Sequence, residues 1–184
     1  MRRVVQVPMT SYVPPHRRRA ADQQQPSSPS STQQKGGDLH AAGIVIFRRR
    51  EGDVEFLLVQ SSDGGMGWTP PKGHLHRGES ELDGARRETL EETSLEEQTG
   101  FTFFNNSTQP IFRTSYWDGK RKRNKTSVYF LAEFVPGAQI SIQAGELADY
   151  VWLSSIPAKT RMNYPEMSEL IDAVMARIFM DVMA

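Results

Sequence analysis

The sequence predicts an α/β fold, and three of its segments support that prediction. Residues 40–47 form an apolar run, and a turn at residues 51–53 returns the chain as residues 54–60, which is typical of a β-hairpin. Residues 81–94 begin with the pattern of a capping box and predict a helix. The last segment, from Pro165, repeats apolar residues at helical spacing. One domain that combines strands with helices is therefore expected.

The N-terminal segment is expected to lie outside this domain. Residues 1–38 contain six basic and two acidic residues, a net charge of +4, whereas residues 39–184 have a net charge of −4. Gln, Ser, Pro, Thr and Gly make up most of residues 20–37, and such a segment buries too little apolar surface to fold. We predict a disordered basic, Gln/Ser/Pro-rich tail over residues 1–38 and a folded domain over residues 39–184. A plain flexible tail, a targeting signal and an RNA-contacting arm all remain open as its role.

The remaining elements follow along the folded segment. Three further strands are predicted after the first helix, at residues 111–116, 127–134 and 150–153. The C-terminal helix is expected to pack through one apolar stripe. This stripe consists of Met167, Leu170, Ile171, Val174, Ile178 and Val182.

Composition limits the class of protein. A hydrophobic content of 38% in 184 residues is enough for one core. No apolar run approaches the roughly 20 residues that cross a bilayer, so we expect no membrane partner. The chain has no cysteine, which excludes disulfides, cysteine-ligated zinc and thiol nucleophiles. We expect a cytoplasmic monomer, with mitochondrial or nuclear targeting by the Arg-rich tail as the alternatives.

The predicted helix concentrates carboxylates on one face. At about 100° per residue, Glu88, Glu91 and Glu92 fall within an arc of roughly 100°. Carboxylates this close repel one another unless a hard cation neutralises them, and oxygen-only ligation favours magnesium or manganese over zinc. Arg87 lies four residues before Glu91, where it can orient a carboxylate. A solvated acidic face is the alternative. Gly84 argues against it, because a helical glycine costs about 1 kcal/mol of stability and room for a substrate or a metal-bound water would explain that cost.

The segment GHLHRGESELDGARRETLEETSL resembles the Nudix box of the Nudix hydrolases. Its pattern is Gly73, five residues, Glu79, seven residues, and then RETLEE from Arg87. Six such fixed positions coincide by chance on the order of once in ten million starting points. The resemblance implies an α/β/α sandwich with a mixed β-sheet and a catalytic loop–helix–loop, and hydrolysis of a nucleotide polyphosphate with Mg²⁺ or Mn²⁺. The metal-binding residues that it implies are Glu88, Glu92, Glu91, Gly73 and Glu79.

Two positions depart from the usual pattern of the box. Ser94 stands where the family usually has glycine, and Thr89 where it usually has an apolar residue. The end of a helix often requires a positive φ, which serine tolerates poorly, so we expect about 1 kcal/mol of local strain at Ser94. Neither departure removes a predicted metal ligand.

The residues just before the box resemble one branch of the family. The run WTPPKGH, from Trp68 to His74, is similar to that of the asymmetrical diadenosine tetraphosphate hydrolases, and Thr89 also fits that branch. Two successive prolines stiffen the loop and bring Lys72 to the start of the box, where its ammonium can meet a phosphate oxygen. A solvated lysine is the alternative. We expect His74 to be a loop contact to the substrate and not a metal ligand.

A second candidate substrate surface follows the predicted strand of residues 111–116. Tyr116 and Trp117 precede five basic residues within residues 120–125, so a ring can stack on a purine while cations hold phosphates. The branch resemblance implies that Lys125 lies near the phosphates and that Tyr164 completes a sandwich around the base. It leaves open whether Tyr116 or Trp117 is the first stacking ring. The alternatives are a solvated loop and, for Tyr164, a half-buried tyrosine before a helix.

One more acid is expected at the site from outside the box. Glu146 aligns with a glutamate that this branch sends back to the metal site, although Gly145 and Leu147 replace the usual histidines. Arg87, Glu88 and Glu146 are the predicted catalytic residues. Either glutamate would take the proton of the attacking water.

The resulting prediction is metal-dependent hydrolysis of diadenosine tetraphosphate by in-line attack away from the middle of its phosphate chain, giving ATP and AMP, as the branch resemblance implies. Two alternatives stay open. One is a Nudix enzyme that acts on RNA 5′ ends, with RNA contacted by the basic tail and residues 120–125. The other is a nucleotide- or RNA-binding module without catalysis, which would not need a cluster of repelling acids.

Overall fold

The computed structural model describes residues 38–62, 67–118 and 122–183. Residues 1–37 of the tail predicted over residues 1–38, and residues 119–121 of the basic loop, lie outside the described residues.

The strands and helices follow one another in the order that the sequence predicts, with additions. The strands are β1 (Leu39–Arg50), β2 (Asp53–Ser61), β3 (Trp68–Thr69), β4 (Lys72–His74), β5 (Phe101–Phe103), β6 (Phe112–Asp118), β7 (Arg123–Phe134) and β8 (Leu147–Ser154). The helices are α1 (Glu81–Thr93), α2 (Ser155–Met162) and α3 (Pro165–Val182), with a 3₁₀ turn at Phe104–Asn106.

All of the strands belong to one mixed sheet. β1 lies near its middle, antiparallel to β2 and β4 and parallel to β7. β2 pairs with β3 and β8, and β7 pairs with β5 and β6. The predicted hairpin between β1 and β2 is confirmed: Glu51 and Gly52 form its turn, both with positive φ (52° and 85°), which suits the twist of paired strands.

Both faces of the sheet are covered, which confirms the predicted α/β/α sandwich. Successive side chains of a strand point to opposite faces. Val45 and Phe47 of β1 pack with α2 and α3 in one core, whereas Ile44 and Ile46 pack with Ala85 of α1 in the other. The residues of the predicted α3 stripe from Met167 to Ile178 are buried. The side chain of Val182 is not among those that the structure describes.

Several elements were not predicted. β3, β4 and β5 have two or three residues each, too few for a periodic pattern. α2 begins directly after β8, at Ser155, and buries only Ala158 and Met162. Within the described part of the chain, none of the helices combines the length and apolar character needed to cross a membrane.

Candidate active site

Helix α1 begins and ends where its sequence indicates. The Ser80 hydroxyl oxygen accepts a hydrogen bond from the Asp83 amide at 3.1 Å, as expected of a capping box. Ser94 terminates the helix in the left-handed region at φ 60°, and its N–H donates to Leu90 O at 2.9 Å. The strain expected at Ser94 therefore has a structural basis, because a residue with a Cβ disfavours this conformation.

Two glycines allow the loop before α1 to lie against the helix. Gly73, in β4, faces Glu88 so closely that a Cβ at Gly73 would lie 2.0 Å from the Glu88 carboxyl group. A Cβ at Gly84 would lie 2.2 Å from a methyl carbon of Leu75. The space at Gly84 is thus occupied by a packed side chain, and our interpretation of it as room for a substrate or a metal-bound water was wrong.

Arg87 is the centre of a network of carboxylates. Its Nε and Nη2 donate to the two oxygens of Glu79 at 2.8 and 2.9 Å. Its Nη1 donates to Glu88 at 2.8 Å and to Glu91 at 2.9 Å, and Nη2 also reaches His74 O at 3.0 Å. One guanidinium therefore sets the direction of three acids and ties them to the loop, a geometry that a lysine cannot reproduce.

The Glu79 carboxylate is stabilised in its charged form. Hydrogen bonding to Arg87 is the largest cause that holds the pKa of Glu79 at about 2, and the His76 N–H adds a bond of 2.8 Å. The hydrogen bond to Glu79, followed by those to Glu88 and Glu91, raises the pKa of Arg87. Because both oxygens of Glu79 are engaged in this way, it lies in the site as the partner of Arg87.

Glu92 has the opposite electrostatic surroundings. Burial raises the pKa of Glu92 to about 7, and the negative charges of Glu88 and Glu146 contribute in the same direction. The backbone N–H of Lys72 opposes them by donating to Glu92 Oε2 at 2.9 Å. A partly buried acid near two others is a position at which a cation would be stabilised.

Glu146, which is distant from helix α1 in the sequence, lines a cleft of about 340 Å³ beside that helix. Lys72 and Glu92 line this cleft together with Glu146. The Ser62 N–H donates to Glu146 O at 2.8 Å and positions the loop. Ser62 and Thr69 also line the cleft and were not predicted, because nothing in their sequence surroundings marks them.

Three of the predicted substrate-binding residues, Lys72, His74 and Lys125, share one face of the sheet. Lys72 lies opposite Gly43, and His74 opposite Ala41, so both point to the face that α2 and α3 cover. On β7, Ser127 pairs with Ala41 of β1 and points to the same face. Lys125 lies two residues before Ser127 on that strand, so its side chain also points to this face.

The strand register also separates the two candidate stacking rings. Tyr116 lies opposite Lys125 and shares its face, whereas Trp117 lies opposite Asn124 and points the other way. Tyr164 directly precedes α3, with a ring carbon 3.4 Å from where a Cβ on Gly67 would be. The register therefore favours Tyr116 over Trp117 as the neighbour of Lys125.

The donor set suits a hard divalent cation in its chemistry. Glu88 and Glu91 each give one oxygen to Arg87 and retain the other. In residues 38–62, 67–118 and 122–183, no three His, Asp or Glu side chains surround a common point as a ready-made ion site. Oxygen ligands on one helix face, one of them with a raised pKa, nevertheless fit Mg²⁺ or Mn²⁺ better than a softer metal.

Comparison with known proteins places the whole domain in one family. A model of the NUDIX domain matches residues 38–174. The chain is 38% identical over 136 residues to the asymmetrical bis(5′-nucleosyl)-tetraphosphatase of Rattus norvegicus, covering 70% of this chain and 88% of that protein. It is 34% identical over 131 residues to the protein of the same name from Caenorhabditis elegans, covering 71% and 90%. A crystal structure of a C. elegans Ap4A hydrolase binary complex is 30% identical with a TM-score of 0.67, covering 76% of this chain and 97% of that one.

Proposed function

The chain belongs to the NUDIX family, and from that premise we propose that it hydrolyses nucleotide polyphosphates and cleaves diadenosine tetraphosphate asymmetrically to ATP and AMP. One observation carries the proposal: Lys72, Glu92 and Glu146 line one cleft, next to the carboxylates that Arg87 holds. A cation-binding acid and a phosphate-binding lysine are the groups that phosphoanhydride hydrolysis needs together. The similarity to asymmetrical bis(5′-nucleosyl)-tetraphosphatases supports the choice of substrate.

Nudix hydrolases generally use divalent metals, and we propose Mg²⁺ or Mn²⁺ here. The oxygens of Glu88, Glu91 and Glu92 would hold the ion with the Gly73 carbonyl. When bound, such an ion neutralises phosphate oxygens and lowers the pKa of a water molecule. Glu79 is better suited to hold Arg87 in place, since Arg87 engages both of its oxygens.

The proposed division of labour follows from the contacts. Arg87 keeps Glu88 and Glu91 in a fixed direction, and the ammonium of Lys72 meets a phosphate oxygen. We assign the acceptance of the water proton to Glu146, because it lines the cleft from outside the helix, whereas one oxygen of Glu88 is already held by Arg87. Glu88 remains the alternative.

The nucleobase is proposed to stack on Tyr116, with Lys125 on the same face near the phosphates. Tyr164 is the candidate for the opposite side of the base, because half of its side chain is exposed at the start of α3. Trp117 points to the other face of the strand, so its replacement should change KM less than that of Tyr116. We propose a monomer, which the molar mass in solution would test.

Product analysis tests the proposal. The protein is incubated with Mg²⁺ and, in separate reactions, diadenosine tetraphosphate, diadenosine triphosphate, capped RNA and triphosphorylated RNA, with the Glu92→Gln variant as control. ATP and AMP in equal amounts from the tetraphosphate, lost in the variant, are expected. Preferential release of a cap nucleotide or pyrophosphate from RNA would move the function to RNA 5′ ends. No turnover of any substrate would refute hydrolysis and favour a binding module.

A further inference from the structure

The C-terminal end of α1 is held by a loop from a distant part of the chain. The last carbonyls of a helix lack partners within it. Thr93 O accepts from the Ser141 N–H at 3.0 Å, and Glu92 O accepts from the Gln143 N–H at 3.2 Å. The loop therefore docks directly on the turn that contains Glu91 and Glu92.

The side chain of Gln143 extends this contact to Glu146. One end of its amide lies 3.3 Å from Glu91 O and 3.2 Å from Glu146 Oε2. Both neighbours are acceptors only, which assigns the nitrogen and not the oxygen of the amide to this side. One NH₂ group thus donates to the backbone of the catalytic helix and to the carboxylate of the loop.

The Glu146 carboxylate needs such a contact to keep one orientation. It is exposed and follows Gly145, whose φ of 94° and open surroundings leave the loop little side-chain packing. A glutamate loses side-chain conformational entropy when it is confined to one conformation. A donor anchored on the helix reduces that loss at the moment of reaction.

We infer that Gln143 is a positioning residue, which holds the Glu146 carboxylate at a set place relative to Glu91 and Glu92 and acts on the reaction only through Glu146. The inference rests on the proposed function, in which Glu146 accepts the proton of the attacking water. The sequence alone does not indicate this role for Gln143, because Gln143 lies outside the box. It precedes Glu146 by three residues.

The first test compares Gln143→Leu with the wild type under saturating Mg²⁺. Leucine keeps most of the volume but cannot donate, so kcat for diadenosine tetraphosphate should fall about tenfold, equivalent to about 1.4 kcal/mol in the barrier. KM should stay within about twofold. Gln139→Leu is the matched control, because Gln139 lies in the same loop and its amide donates within that loop, to Gly137 O at 3.1 Å. It should retain wild-type kcat.

A double-mutant cycle separates positioning from a general structural effect. In the Glu146→Gln background, Gln143→Leu should cause no further loss of kcat, because the carboxylate through which Gln143 acts is already absent. An equal tenfold loss in both backgrounds would overturn the inference, as would wild-type kcat in Gln143→Leu.

A measurement without substrate distinguishes this inference from the proposed function. The side-chain amide resonances of Gln143, identified by their loss in Gln143→Leu, should shift in Glu146→Ala and stay in place in Gln139→Leu. Unchanged resonances in Glu146→Ala would refute the contact even if the enzyme is active. Absence of turnover in the wild type would refute the proposed function, whereas the spectra would still decide the contact.

Discussion

Replacing Glu92 by Gln is expected to abolish turnover and, at the same time, to stabilise the metal-free protein at pH 8. Burial beside Glu88 and Glu146 raises the pKa of Glu92 from 4.5 to about 7, so its ionised form is disfavoured in the folded state. Glutamine has nearly the same shape and can still accept the hydrogen bond from the Lys72 N–H. It removes the charge and leaves the packing.

The size of the effect follows from the pKa. Each unit of pKa is worth about 1.4 kcal/mol, so the rise to about 7 corresponds to about 3 kcal/mol when Glu92 is ionised. A carboxyl group with a raised pKa binds its proton more tightly in the folded protein. The wild type therefore loses stability as pH increases from about 4.5 to about 7, whereas the variant does not. At about 2–4 °C per kcal/mol for a domain of this size, Tm should rise by about 6–12 °C at pH 8.

The assay is thermal and denaturant unfolding of wild type and Glu92→Gln in EDTA at pH 8 and at pH 4. The difference should be present at pH 8 and absent at pH 4, where Glu92 is protonated. Glu169→Gln, an exposed acid on α3, is the control and should change little. Added Mg²⁺ should stabilise the wild type more than Glu92→Gln. Equal or lower stability of Glu92→Gln at pH 8 would refute the electrostatic reasoning, and near-normal turnover would refute the metal assignment.

Four further outcomes are expected. Arg87→Lys should keep the fold by circular dichroism but lower kcat about 100-fold or more in steady-state kinetics, because lysine lacks the planar fork that holds several acids. Since Arg87 holds the pKa of Glu79 at about 2, Glu79→Gln should lower the free energy of unfolding, measured with denaturant at pH 7, by about 1–2 kcal/mol. This difference between wild type and variant should disappear as pH falls from about 4.5 to about 2. Gly73→Ala should reduce turnover more than tenfold with a smaller effect on Tm, because its Cβ would displace the Glu88 carboxyl group; unchanged kinetics would contradict the close approach. Ser94→Gly should raise the free energy of unfolding by about 0.5–1 kcal/mol, since glycine adopts φ 60° without strain; a decrease would mean that the Ser94 hydroxyl contact matters more.

Local patterns predicted the parts of the fold whose causes are local. The Ser80 cap, the turn at Gly52 and the apolar stripe of α3 depend on residues a few positions apart, so their sequence is sufficient to predict them. β3 and β4 could not be predicted in this way. Each is a strand only because β2 or β1 lies beside it.

The same distinction applies to the site. The spacing of Glu88, Glu91 and Glu92 follows from the period of the helix, so the sequence alone indicated the acidic face. The interpretation of Gly84 was wrong, because Leu75 fills that space. Leu75 belongs to the loop before the helix, and the spacing of residues within the helix does not predict where that loop lies. The choice between Tyr116 and Trp117 depended on the register of β6 against β7, which a shift of one residue would invert.

The sequence by itself determined the family, the catalytic helix and the residue types of its acids, because these depend on spacing along one element. Only the tertiary structure decided that Arg87 engages both oxygens of Glu79, that Glu92 is partly buried near Glu146, and that Gln143 joins that glutamate to the helix. Such contacts depend on the packing of loops that are distant in sequence, and burial, which sets the pKa of Glu92, exists only after the chain has folded.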